Sequence, residues 1–423
     1  MNITQVCAKL RAQMVLFSGK LSDGLPKVMR RFVAEAVYGI AARGSVRLSE
    51  IARALQEEIS LKKTIDRLCV RLAYPGLRSH LTEAIIRDAS SRVGEDTLLI
   101  IDTSEVVKKY AKKMEYLCRV RDGSEGVLAD GYWTCDMVGV EVGEAEIVPL
   151  YHELYSPLAP GFRSENDEIL KAVGVVCRHI GSRGIWVLDR GGDRRSLFYP
   201  FLEEGRRFLV RLVGDRNLLY RGRVMRASVL AQGCPLPYEE VVVRQDGARE
   251  RLYRVSYPPA GRAGGVRRVR LPGRAEELFV VVVKGFGAEP MMLLTNVQIG
   301  KGREGLWWVV DAYVTRWKVE ETIRFIKQSY DLEDIRVLTY ERLRNLAALV
   351  LVVAYFTAVH LGLRARLEIL ARYALRAARR IFGIPDFRYY ALADGIREIL
   401  CRVGKGLWVR NTKDPPLPQL SLF

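Results

Sequence analysis

The sequence is poor in histidine and never pairs its cysteines. The four histidines, His80, His152, His179 and His360, fall at no metal-ligand spacing and read as structural. The seven cysteines (Cys7, Cys69, Cys118, Cys135, Cys177, Cys234 and Cys401) are scattered, with no CxxC and no nearby histidine pair. That excludes a zinc module and a secreted disulfide framework, and it suits a reducing compartment. The glycine-rich GKGREG at 300–305 lacks phosphate-loop spacing and a following Ser or Thr, so it reads as a turn. The opening MNITQVCAKLRAQMVLF has no sustained apolar core followed by a cleavage site, and no signal peptide is expected. A single long apolar run exists, LAALVLVVAYFTAVHLGL at 346–363. It nearly has the length to span a bilayer. It follows closely on a polar helix and contains His360, so a buried core helix is expected.

What the chain has in excess is positive charge. Its 423 residues carry 67 Lys and Arg against 49 Asp and Glu, a formal net charge of +18. Such a balance points to a polyanionic partner, nucleic acid first and an anionic membrane surface second. A hydrophobic fraction of 49% excludes wholesale disorder, and the length suggests about three domains.

Residues 1–95 read as helical. Within them VRLSEIARAL (46–55) and SLKKTIDRLCVRL (60–72) are two short amphipathic units joined by a brief turn, with Leu61, Ile65, Leu68 and Leu72 on one face of the second. A helix-turn-helix DNA-binding module fits this pattern, with Lys62, Lys63 and Arg67 as candidate phosphate contacts; a plain helical bundle with a basic surface is the alternative. Residues 96–213 alternate strands and helices, the signature of an α/β core. TLLIIDTSEV (97–106) is an apolar strand that ends at Asp102, and GIWVLDRGGDRRS (184–196) repeats the design with Asp189 and a Gly-rich turn. From 214 to 296 the texture becomes short strands between Gly and Pro turns, without helical period, and reads as a β-rich insertion. Residues 297–363 resume the α/β material. Residues 364–423 read as an Arg-rich helical region with a mobile Pro-containing tail.

In DAYVTRWKVEETIRFIK (311–327), Tyr313, Arg316, Glu320 and Lys327 keep to one side of a helix. Trp317, Ile323 and Ile326 point elsewhere and are expected to dock that helix on a core. A carboxylate flanked by two cations and a phenol suits joint binding of a metal ion and a phosphate; a solvated face with intrahelical ion pairs is the competing reading. If the strands carrying Asp102 and Asp189 are neighbours, their carboxylates sit side by side at the carboxyl edge of the sheet, where a helix can add Glu320. Three clustered carboxylates need cations. Oxygen ligands suit a pair of Mg²⁺ ions, or Mn²⁺ as a substitute, in two-metal phosphoryl transfer. Glu105, Asp130, Asp136, Asp193 and Glu321 are the rival acidic residues.

IIDTSEV, VLDRGGDRR and the Tyr-x2-Arg-x3-Glu-x6-Lys stretch, in this order, resemble the DDE transposases of prokaryotic insertion sequences, in particular the insertion-sequence-four group. The resemblance spans roughly residues 45–362. It implies an RNase H-like catalytic core interrupted by a β-rich insertion; the all-helical, DNA-end-binding reading of 1–95 and the helical reading of 364–423 rest on the residue pattern, and the resemblance does not assign the latter. It implies that Asp102, Asp189 and Glu320 are the catalytic metal-binding triad, and that Tyr313, Arg316 and Lys327 contact the DNA backbone or the scissile phosphate. The function so implied is Mg²⁺-dependent cleavage at terminal inverted repeats and strand transfer to target DNA. The expected partners are double-stranded DNA and a second copy of the chain, without a membrane or a small-molecule substrate, in a cytoplasmic, nucleoid-associated setting. An RNase H-like DNA nuclease without strand transfer and a non-catalytic transposase-derived DNA-binding protein are the alternatives.

Overall fold

A computed structural model describes residues 3–123, 125–234, 238–246, 249–257, 267–284, 289–300, 303–361, 389–404 and 406–408, with backbone alone for 238–246, 249–257 and 267. The helical region expected over 364–383 and the tail over 414–423 lie outside the described residues.

Five helices open the chain: α1 (Ile3–Leu21), α2 (Lys27–Arg43), α3 (Leu48–Leu55), α4 (Leu61–Leu72) and α5 (Leu77–Ala89). The two short amphipathic units are α3 and α4. Ser60 caps α4 by accepting from the Lys63 amide at 3.4 Å. The crossing of α2 over α3 is close enough that a Cβ at Gly39 would stand 2.5 Å from Ile51 Cγ2, which accounts for a glycine in mid-helix.

A nine-stranded sheet follows, built from β1 (Leu98–Val107), β2 (Cys118–Arg121), β3 (Leu128–Val140), β4 (Val148–Tyr155), β5 (Ile185–Leu188), β6 (Phe208–Arg211) and three later strands. Its centre is a parallel trio, β6–β5–β1. The start of β1 (Leu98–Ile101) and all of β5 are buried, the run of apolar residues that a doubly covered strand requires. β3 pairs antiparallel with β1, β2 and β4. Between β4 and β5 runs α6 (Glu165–Ile180), and α7 (Arg195–Glu203) leads from β5 to β6.

The segment 214–296, read from sequence as a β-rich insertion, divides between separate elements and strands of the central sheet. A ribbon of β7 (Asn217–Tyr220) and β8 (Arg223–Arg226), a short helix α8 (Ala227–Gln232) and a hairpin of β9 (Tyr238–Asp246) and β10 (Arg249–Tyr257) stand off the sheet. The chain then returns to it: β11 (Arg267–Val269), β12 (Leu278–Val283) and β13 (Met291–Thr295) extend the central sheet from β6 in the order β6–β13–β12–β11. Composition signals strands but not which sheet receives them. α8 is too short to leave a helical period.

The stretch that reads as one helix over 311–327 is two. α9 (Arg303–Thr315) and α10 (Trp317–Ser329) meet at Arg316, whose neighbours tighten to i→i+3 bonds: the Arg316 amide donates to Tyr313 O at 3.1 Å and the Val319 amide to Arg316 O at 3.0 Å. Trp317, expected to dock on the core, is 48% exposed, while Ile323 and Ile326 are buried. α10 lies against β1 and β3.

The apolar run forms α11 (Tyr340–Tyr355), extended by one π-helical turn, Phe356–His360. By length and composition Tyr340–His360 could cross a membrane, yet 83% of its most apolar window is buried inside the fold, against β4, α5 and α2. The last described helix, α12 (Tyr389–Val403), touches α1, α2 and α10 and so ties the opening helices to the helix that carries Glu320.

Candidate active site

Ile100 on β1 is in register with Val187 on β5, and the two strands run parallel. Two residues further on, Asp102 and Asp189 stand level at the same edge. β1 does not end at Asp102, as its sequence suggests. Pairing with β5 stops at Ile100 while β1 continues against β3 to Val107. Asp102 therefore marks where the parallel partner leaves, and the strand beyond it, Thr103–Glu105, becomes half-buried.

After β5 the chain makes a tight turn. The Gly191 amide donates to Asp189 Oδ1 at 2.7 Å, holding that side chain across the turn. A Cβ at Gly191 would lie 2.9 Å from the same oxygen, so the glycine permits the close approach.

From α10, Glu320 faces Asp102 across the Arg316 guanidinium. Arg316 Nη2 donates to Glu320 Oε1 at 2.6 Å, and Nη1 stands 3.5 Å from Asp102 Oδ2. Burial, reinforced by the charges of Asp189 and Glu320 against the opposing pull of Arg316, pushes the Asp102 carboxyl up to about 7. Asp189 and Glu320 are thus each within electrostatic reach of Asp102.

They are not gathered at ligand spacing: among the described residues no three His, Cys, Asp or Glu side chains converge closely enough to hold a metal ion. In chemistry and charge the set still fits a hard divalent cation. It offers only carboxylate oxygens, one of them raised by burial and by its like-charged neighbours, and a guanidinium already stands between two of them.

Lys327 lies one helical stretch beyond Glu320. Its Nζ donates to Ser104 Oγ at 2.9 Å and pairs with Glu105 Oε1 at 3.2 Å. Asp102, Ser104, Glu105, Glu320 and Lys327 line one cleft of about 490 Å³, joined at its far wall by Lys109 and Asp122. Tyr313 is on the buried face of α9, with Arg316 5.9 Å from its ring centroid. Of the four signature residues, Glu320 and Lys327 line the cleft, while Tyr313 and Arg316 are buried behind it.

The rival carboxylates have other partners. Asp193 is buried, accepting from the Val213 amide and from Arg216 Nε, both at 2.6 Å. Asp130 pairs with Arg119 at 2.9 Å, and Glu321 pairs with Arg324. Asp136 sits directly across from Asp102 in the β1–β3 register, yet its oxygens are taken by His152 Nδ1 at 2.6 Å and Thr134 Oγ1 at 2.7 Å. Glu105 is the exception, a cleft-lining carboxylate whose place follows from the unforeseen continuation of β1.

In the opening helices, Lys62 and Lys63 are exposed on the first turn of α4. Arg67 is not disposed with them. It bridges Glu35 Oε2 at 2.5 Å and Glu57 Oε2 at 2.7 Å, and Glu35 is fully buried on α2. Its charge is spent inside the bundle, tying α4 to α2.

No family model and no curated protein matches this chain. Among solved structures, the chain is similar to a piggyBac transposase in a synaptic complex with hairpin DNA, at 12% identity and a TM-score of 0.46, over 92% of this chain and 82% of that one. A likeness that distant carries neither activity nor site.

Proposed function

We propose that the chain is a transposase of the DDE kind, built on an RNase H-like core and akin to the insertion-sequence-four group. The observation that carries the reading is the meeting of Asp102 and Asp189, level at the edge of two parallel strands, with Glu320 presented from α10 across a shared Arg316. A structural ion-pair cluster would not need the third carboxylate, whose charge adds to the burial that already pushes the Asp102 carboxyl up.

In this reading Asp102, Asp189 and Glu320 hold two Mg²⁺ ions. Bound there, the ions would supply Lewis acidity toward the oxygens of a phosphodiester. The chain's own residues do the rest. Arg316, a planar fork already aimed between the carboxylates, takes phosphate charge. Lys327 fixes the cleft wall through Ser104 and Glu105 and offers a second cation. A phosphodiester at the element end is hydrolysed to free a 3′-hydroxyl, and that hydroxyl attacks a target phosphodiester, so one bond breaks as the other forms. Lys62 and Lys63 on α4 contact the duplex, and pairing of two DNA ends calls for two copies of the chain.

The test uses the inverted repeats that would bound the reading frame in its genome. With a pre-cleaved end and a target plasmid, the wild-type protein should join the two in Mg²⁺, and Glu320→Gln should bind the end without joining it. Cutting without joining would favour a nuclease, and equal activity of Glu320→Gln would remove the site.

A further inference from the structure

The loop between β1 and β2 runs VKKYAKKMEY from Val107 to Tyr116, and it borders the carboxylate cleft through Lys109. Its base is held at both ends. The buried Lys108 ammonium donates to Glu333 O at 2.5 Å and Ile335 O at 3.0 Å, and the Lys108 amide donates to Asp130 O at 2.6 Å. At the other end the Glu115 amide donates to Leu338 O at 2.9 Å, and Glu115 Oε2 accepts from the Tyr340 amide at 2.7 Å. A clamped base presents the tip in a defined place.

At that tip Tyr110 is 93% exposed, the barest large hydrophobic side chain among the described residues. It buries nothing, so packing does not explain it. Lys109 is paired with Glu125 and lies 3.9 Å from Asp122. Asp334, on the facing wall, is paired with Arg47 and Arg336. Lys112 and Lys113 are exposed and make no ion pair among the described residues. A second groove, about 530 Å³, runs along the loop and adjoins the carboxylate cleft, with Lys109 and Glu333 lining both.

An exposed aromatic ring between lysines, at the mouth of a cleft, is the combination that recognises unpaired nucleotides. Every base offers a face for stacking, and phosphates on either side take the ammonium groups. In a closed duplex the base faces are already stacked and beyond its reach. We propose that Lys109–Lys113 is a platform for an unpaired nucleic-acid strand passing the carboxylate cleft, with Tyr110 stacking on a base and Lys112 and Lys113 taking the flanking phosphates. This deepens the transposase reading and rests on it for the role of the cleft.

The experiment measures fluorescence anisotropy of the full chain with oligothymidylate and with a blunt duplex of equal length. Tyr110→Ala should bind the single strand about tenfold more weakly and the duplex unchanged, and Tyr110→Trp should restore the single-strand affinity. Replacing Lys112 and Lys113 together by alanine should lower the salt dependence of single-strand binding by about 1.4 in log–log slope. Unchanged oligothymidylate affinity in Tyr110→Ala, or an equal loss on the duplex, overturns the proposal. So does a Tyr110→Ala protein that alters only self-association in sedimentation, which would make the loop an interface between copies. Loss of cutting is a separate readout, so the strand platform and the transposase reading fail independently.

Discussion

Arg316 donates to Glu320 at 2.6 Å from the one position where α9 and α10 break. The same guanidinium favours the ionised form of Asp102, so a single side chain balances two carboxylates that otherwise repel. Arg316→Ala is expected to cost roughly 10²-fold in strand cleavage, because a preorganised cation is lost from the reacting phosphate. It should also lower stability by about 1–2 kcal/mol, less than for a fully buried pair since Glu320 is one-third exposed. Single-turnover cleavage and thermal denaturation read the two effects separately.

Asp102 gives a pH dependence of defined sign. Its folded carboxyl titrates near 7 against an ordinary 3.8, so between those values the folded protein holds a proton that the unfolded chain has released. Stability therefore falls as pH rises through that window and is level above it. Without divalent cations, Asp102→Asn should melt at a higher temperature than the wild-type protein at pH 8, with the gap closing toward pH 4. A gap of opposite sign would mean that Asp102 is stabilised as the anion.

Divalent cations should reverse that preference. Millimolar Mg²⁺ or Mn²⁺ is expected to raise the melting temperature of the wild-type protein by preferential binding to the folded state. Asp102→Asn and Glu320→Gln should lose most of the rise, whereas Asp193→Asn, whose carboxylate is committed to Val213 and Arg216, should change basal stability instead.

The opening helices separate two kinds of basic residue. Arg67→Ala leaves the buried Glu35 with one of its two arginine partners removed, and should destabilise the fold by about 2–3 kcal/mol. Lys62→Ala with Lys63→Ala should leave the melting temperature unchanged and lower the salt slope of duplex binding by about 1.8. Denaturation and salt titrations of DNA affinity distinguish the two.

These contrasts also mark what was legible in the sequence. The apolar runs before Asp102 and Asp189 and the helical spacing after Tyr313 announced an α/β core with a carboxylate after each apolar run, because such patterns are local. Register is not local. That Asp102 and Asp189 stand level, that Asp136 lies across from Asp102, and that β1 runs on to bring Ser104 and Glu105 to Lys327 depends on pairing between distant segments. Arg67 and Lys62 look alike as basic residues on one short helix, and only the packing of α4 on α2 assigns one to a buried ion pair. Trp317 shows the same limit: it is exposed although its apolar character suggests docking on a core, and spacing alone does not say which face a helix buries.

The most direct test is a crystal of the protein grown with Mn²⁺ and DNA, with anomalous scattering used to place the metal. The account predicts Mn²⁺ between Asp102, Asp189 and Glu320, with Arg316 displaced toward a phosphate. Mn²⁺ bound elsewhere, with these three carboxylates left to Arg316, would contradict it.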